Sequence, residues 1–244
     1  MVHPTMKTLR LFAGLLVATV WGELALANSD YVGTEVCAGC HEQPFADWQG
    51  SHHDLAMPAV TEKTVLGDFD NATFTYAGTT STFYRKDGAF WVRTDNAAGE
   101  LEEFRVAWVF GVYPLQQYLL PIGHGKLQAL TIAWDARSQA EGGQRWYHLY
   151  PDDGIKAGDP LHWTGPYQNW NTRCAECHST NVEKHYNPSE RSFATTWDAD
   201  NVGCEGCHGP GAQHVALAKE NTLANTPHSG FKMSLAAKGQ WAWA

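Results

Sequence analysis

The sequence predicts an α+β fold in which a domain of short helices and loops is interrupted by an antiparallel β-rich insertion. Three observations predict it. Residues 61–150 carry runs of β-branched and aromatic residues that alternate with polar ones. Short helical signals gather on either side, at three cysteine pairs, and are joined by Gly, Asn and Pro loops. Cys40 and Cys174 lie 134 positions apart, which leaves room for a separate subdomain between the first pair and the other two. The implied segments are 1–27, 28–60, 61–150 and 151–244.

Composition narrows the function before any motif is considered. The chain has 244 residues, 43% apolar and 18% charged, with 17 Lys+Arg against 26 Asp+Glu. That is an ordinary folded composition, and it lacks the basic stripe that a phosphate backbone requires, so nucleic acid is excluded as a partner. Six cysteines and twelve histidines are the unusual feature.

The first segment places Lys7 and Arg10 before an apolar run from Leu11 to Val20, then Ala25-Leu-Ala27. This is the form of a signal peptide, predicted to be removed after residue 27. The competing reading is an uncleaved anchor, but the uncharged stretch from Leu11 to Gly22 falls short of the roughly 20 residues that span a bilayer. Removal takes Lys7, Arg10 and Glu23 and moves the net charge from -9 to -10. The expected product is periplasmic, with no membrane span.

In the second segment Cys37-Ala-Gly-Cys40-His41 is followed by a helix that Pro44 is suited to open. The fourth segment repeats the pattern as Cys174-Ala-Glu-Cys177-His178 and Cys204-Glu-Gly-Cys207-His208. A disulfide framework is the usual reading of six cysteines in an exported chain. Here every pair is followed at once by His, and C-x-x-C-H is the attachment sequence of c-type haem. Two thiols on one helical turn bond the vinyl groups of a porphyrin edge, and the adjacent His offers a neutral imidazole to the iron. A four-cysteine zinc site fits less well. Its 26-residue spacer between Cys177 and Cys204 exceeds the usual run of roughly 15–20, and the first pair and all three His are left over. The sequence therefore predicts three covalent haems c, with Cys37, Cys40, Cys174, Cys177, Cys204 and Cys207 as attachment points and His41, His178 and His208 as proximal ligands.

The sixth position of each iron separates a relay from an enzyme. After leader removal only Met57 and Met233 remain, so His/Met ligation suits few sites and bis-His ligation is the default. His214 follows His208 by six residues through Gly209-Pro-Gly211, a link of about 20 Å at full extension, with little slack to round a porphyrin. It is predicted to ligate a neighbouring haem. One of His52 and His53 is expected to bind iron. His162 and His148 sit among aromatics of the kind that line a haem pocket, although buried His residues bonded to backbone would read identically. His124 reads as loop, and His185 and His228 carry no signal.

The β-rich segment is expected to form strands at Ala72–Tyr76, Thr80–Arg85, Ala89–Thr94, Leu101–Phe110 and Leu127–Trp134, with an Asp87-Gly88 turn. One antiparallel sheet is expected, serving as a cover over haem one rather than as a docking surface. In the flanking segments porphyrin replaces much of the core, so folding should require haem attachment.

Several stretches go beyond the pentads: Tyr31 to His41, Trp48-Gln-Gly-Ser-His-His-Asp-Leu-Ala-Met57, Phe110 to Tyr118, Pro160 to Gly165 and Gly203 to His214. With them the chain resembles multihaem cytochromes whose haem domain is similar to the tetrahaem electron carrier of ammonia-oxidising bacteria. It resembles most closely the bacterial versions joined to tetratricopeptide repeats. The resemblance implies that His53 and His214 are distal ligands. It also implies a further haem motif and helical repeats, whereas this chain stops 36 residues beyond His208, so a truncated product or a fragment is expected.

The leading expectation is an electron-transfer protein that carries electrons between redox partners through three mostly bis-His haems, its acidic surface steering a partner with a basic patch. The alternative is a reductase of a small nitrogen or sulfur oxyanion at a haem with an open distal face, with Arg173, beside Cys174, as a charge donor. No C-x-x-C-Lys motif of the kind found at catalytic haems in multihaem nitrite reductases is present. A third expectation makes the chain the haem part of a larger interaction protein.

Overall fold

A computed structural model describes residues 30–232; the segment predicted as a signal peptide, Met233 and the last residues of the chain lie outside them. The architecture is α+β, with short helices and antiparallel sheets, as the sequence predicts.

The insertion forms two sheets rather than one. The first is a meander of β1 (Ala72–Tyr76), β2 (Thr79–Lys86), β3 (Ala89–Asp95) and β4 (Leu101–Arg105), in that order. The β2–β3 hairpin turns at Asp87-Gly88, where φ values of 52° and 71° give the left-handed turn that matches strand twist. Side chains alternate as expected: Phe83, Val92 and Phe104 stand in register across three strands, all facing inward. The second sheet contains β5 (Trp108–Phe110), β6 (Leu115–Pro121), β7 (Leu127–Ala129), β8 (Ile132–Asp135) and β9 (Arg145–His148), ordered β5-β6-β8-β9 with β7 also on β6.

Two long predicted strands are broken. The run Leu101–Phe110 crosses between sheets at Val106-Ala107, β4 pairing with β3 and β5 with β6. The run Leu127–Trp134 is interrupted at Leu130-Thr131. There the Leu130 N–H donates to the Tyr118 carbonyl, and the Leu130 carbonyl accepts from the Gln117 amide. Strands β6 and β9 escaped the sequence reading. Strand β6 is buried on both faces from Gln116 to Leu120, so it lacks the alternation that marks a half-exposed strand.

Between the sheets lies an aromatic core. Phe69 meets Phe83, Phe90, Tyr118 and Trp146 edge-on at 5.1–5.7 Å, and Phe83 stacks on Trp146 at 3.6 Å. Trp163, from beyond the β-rich segment, packs into it. The outer face of the second sheet carries Phe110, Leu119 and Ala129, which pack with Met57, Trp170 and Ala175 against the half-buried Cys174. The β unit thus covers the second cysteine motif, where the sequence reading had placed haem one beneath it.

The helices are short: α1 (Thr34–Ala38), α2 (Glu42–Trp48), α3 (Trp170–Arg173), α4 (Ala175–His178), α5 (Cys204–His208) and α6 (Ala212–Lys219). Pro44 sits in the first turn of α2, where its missing N–H has no helical partner to lose. No residue of α1, α2 or α6 is buried. No helix among the described residues is long and apolar enough to cross a membrane.

Candidate haem-attachment centre

Each cysteine motif lies on a helical turn. Cys37 is in α1, Cys174 precedes α4, and Cys204 opens α5. None of the six cysteines is in a disulfide. Among the described residues, no three His, Cys, Asp or Glu side chains converge on a metal-binding geometry of their own.

Motif two is positioned by amide side chains. Gln128 of β7 donates to the carbonyls of Trp163 and Gly165 and accepts from Asn169. Asn171, in α3, accepts from the Leu127 N–H and donates to the Gly125 carbonyl and the Thr195 hydroxyl. This buried ladder fixes α3, and with it Cys174, against the sheet. Burial pushes the Cys174 thiol up to about 11, with Cys177 adding to the rise and Arg173 opposing it. Arg173 itself lies over the Tyr167 ring at 5.1 Å. His178 directs Nδ1 at the Ala56 carbonyl, 3.2 Å away, and packs against Phe110 at 4.1 Å. Burial lowers its pKa, partly offset by that hydrogen bond, which favours the neutral imidazole a metal requires.

Motifs one and three are adjacent. Burial is the main cause that pushes the Cys37 thiol up to about 11, and the nearby Cys204 and Glu205 add to it. The Cys204 N–H donates to Thr34 Oγ1, and Gly203 is required there because a Cβ would stand 2.3 Å from that oxygen. Thr180, just after motif two, accepts from the Gly203 N–H and donates to the Asn201 carbonyl. Glu205 is 4% exposed, and its carboxylate accepts from the N–H groups of Val32, Gly33 and Gly211 at 2.7–3.1 Å.

His214, on α6, comes to His41. Their ring centroids are 6.2 Å apart and their planes 26° from parallel. A separation of this size leaves room for one metal ion between two imidazoles at metal–nitrogen bonds of about 2.0–2.1 Å. His214 Nδ1 lies 2.9 Å from the Ser229 carbonyl. A carbonyl only accepts, so Nδ1 carries the proton and Nε2 keeps its lone pair for a metal. The segment 227–230 returns over α6 to make this bond, and Phe231 packs at 4.7 Å from the same ring. His208 is exposed and meets Phe231 at 6.0 Å.

The other predicted ligands are spread out. His53 is exposed; its carbonyl accepts from Val202 N–H, and Trp48 Nε1 donates to the Val202 carbonyl, which brings this stretch to the approach of motif three. His52 lies 6.2 Å from the Tyr113 ring. His162 and His148 make their contacts within the β unit and its polar end. His162 has both ring nitrogens engaged, Nδ1 with Thr164 Oγ1 at 2.8 Å and Nε2 with Asp95 Oδ2 at 3.2 Å. His148 stacks on Tyr76 at 3.6 Å, and its Nδ1 lies 3.1 Å from the Tyr150 N and 3.2 Å from the Tyr150 carbonyl. Burial lowers the His148 pKa. Burial acts to raise Asp95, but the hydrogen bond and charge of His162, together with Thr94, outweigh it and leave the carboxyl below its ordinary value. These residues complete the polar end of the β unit, which is the buried, hydrogen-bonded alternative that their aromatic neighbours in sequence could not distinguish from a haem pocket.

Glu205, Thr34, Thr180 and the carbonyls of Ala56 and Ser229 were not legible as site residues. The two carbonyls have no side-chain signature, and Glu205 occupies a variable position of C-x-x-C-H, where an acidic residue reads as solvent-facing.

Residues 154–209, which hold the second and third cysteine motifs, match the family model described as cytochrome c554 and c-prime. No curated protein matches the chain. The crystal structure of the outer cell wall cytochrome OcwA is similar over 86% of this chain and 36% of its own, with a TM-score of 0.49 and 20% identity. The chain thus spans about a third of that cytochrome's length.

Proposed function

We propose that this chain is a periplasmic electron carrier with three covalent haems c, mostly bis-His ligated. Cys37/Cys40/His41, Cys174/Cys177/His178 and Cys204/Cys207/His208 would hold them. When bound, haem c supplies a one-electron iron couple. The chain's own residues attach it, orient the imidazoles and exclude water. The observation that carries the reading is the His41–His214 separation of 6.2 Å, with the His214 Nδ1 proton committed to Ser229. In this reading His214 crosses from motif three to the iron of haem one and ties two haems into one wire, while His53 serves a haem of its own and His162 and His148 remain structural. The leader-like first 27 residues support export. The acidic balance of the chain supports a partner with a basic patch, whose association slows as salt is added.

The test combines mass and spectra. The mature holoprotein should carry three haems by mass, with the spectra of the two His-His haems low-spin and unchanged by carbon monoxide. His214→Ala should convert one haem of the three to a high-spin form that binds carbon monoxide. An unchanged spectrum in that variant would remove the cross-ligation, and a mass without haem would remove the whole reading.

A further inference from the structure

Glu205, the first variable residue of motif three, is a buried carboxylate, 4% exposed. Among the described residues every hydrogen bond to its carboxylate comes from the backbone: Val32 to both oxygens at 2.9 and 3.1 Å, Gly33 at 2.7 Å and Gly211 at 2.7 Å. Val32 and Gly33 lead directly into α1, the helix of Cys37. Gly211 leads into α6, the helix of His214. Glu205 itself lies in α5 with Cys204 and Cys207. A single carboxylate therefore joins the starts of the two helices that frame haem one to the helix that attaches haem three. The fit is tight, since a Cβ on Gly211 would come within 3.2 Å of Glu205 Oε1. Its charge also acts on the Cys37 thiol, alongside Cys204.

Two physical consequences follow. Peptide N–H groups can stabilise a carboxylate without a counter-cation, and among the described residues the hydrogen bonds to this one come from peptide N–H groups. In the poorly screened interior such a charge acts over longer distances than at the surface. A ferric haem that takes up one electron loses one unit of positive charge, so a fixed negative charge nearby opposes the uptake. Motif two packs against the apolar outer face of the second sheet and reaches motif three through Thr180, which accepts from the Gly203 N–H.

We propose that Glu205 is a positioning residue shared by the first and third haem sites, whose buried carboxylate aligns them as one electron-transfer pair and keeps both harder to reduce than they would be without it. The proposal rests on the haem reading above, and the experiment separates the two. Wild type and variants are first weighed with haems attached: a wild type without three haems fails the haem reading before any potential is measured.

The holoprotein is then titrated potentiometrically, with dithionite as reductant and redox mediators present. In Glu205→Gln two of the three haems should become at least tenfold easier to reduce, about 59 mV each for a one-electron couple, and the third should move much less. Three unmoved potentials, or three that move together, would overturn the proposal. Should Glu205→Gln mature with fewer haems, peptide mapping decides: losses confined to the Cys37/Cys40 and Cys204/Cys207 sites support the shared role, and loss at Cys174/Cys177 overturns it. Glu205→Asp supplies the rescue. It keeps the charge and shortens the reach by one methylene. Its potentials should return most of the way to wild type, while the paramagnetic resonance signal of one haem changes as its axial ligands are realigned. Potentials in Glu205→Asp that rise as far as in Glu205→Gln would show that charge plays no part.

Discussion

The β unit and the haem-attachment segments are held together in opposite ways. The β unit encloses Phe69, Phe83, Val92, Tyr118, Leu120 and Leu130 at near-zero exposure, an interior with which an antiparallel fold sustains itself. Around motifs one and three, by contrast, α1, α2 and α6 bury no residue. What holds them is polar: the Glu205 cradle, the Thr34 and Thr180 hydroxyls, and the pairing of Trp48 and His53 with Val202. Net contributions of about 0.5–1.5 kcal/mol per hydrogen bond are poor compensation for roughly 1–2 kcal/mol of backbone entropy per ordered residue. The comparison teaches that one region was built to fold by itself and the other to fold around something.

The largest effect that could break this contrast comes from preventing haem attachment. In protein produced without haem ligation, amides of β1–β9 should keep slow hydrogen exchange, while those of residues 30–54 and 200–232 exchange at nearly unfolded rates. Equal protection in both regions would abolish the distinction.

A middle-sized effect sharpens it. Phe83→Ala deletes a fully buried ring stacked on Trp146 and should lower the unfolding free energy of the β unit by about 3–5 kcal/mol. Denaturant titration monitored by circular dichroism measures this. The haem spectra should change little before the β transition.

The smallest effect concerns pH. His148 is buried with its pKa lowered below the ordinary value of 6.5, and burial is the principal cause. Between the lowered and the ordinary value the unfolded chain binds the extra proton, so stability is present at neutral pH and is lost as pH falls below about 6.5. Asp95, lowered by His162, extends the loss into the carboxylate range. Thermal unfolding from pH 7.5 to 5 should show a falling midpoint in wild type, with the His148 part of the fall absent in His148→Phe.

Local signals are legible where the residues that carry them are contiguous. The three pentads each lie on one helical turn, and the Asp87-Gly88 hairpin has the backbone its residue types demand. The reading went astray where one feature serves two masters. Strand β6 packs Tyr118 and Leu120 into one core and Leu119 into the other, so its sequence shows no period. His148 and His162 stand among aromatics because they are part of an aromatic-rich β unit, a context that sequence alone shares with a haem pocket. The single sheet became two because the turn at Val106-Ala107 carries no Gly or Pro to announce it.

The sequence by itself determined the three C-x-x-C-H pentads and the alternation of the first sheet, since each depends on residues within a few positions of one another. Only the tertiary structure decided which partners meet: His214 with His41, Ser229 behind His214, and Glu205 beneath Val32, a contact across 173 positions. The physical reason is that a cofactor motif or a hairpin is specified by local stereochemistry. The pairing of distant groups is instead settled by how the whole chain closes, and by which buried donors and acceptors must then satisfy one another.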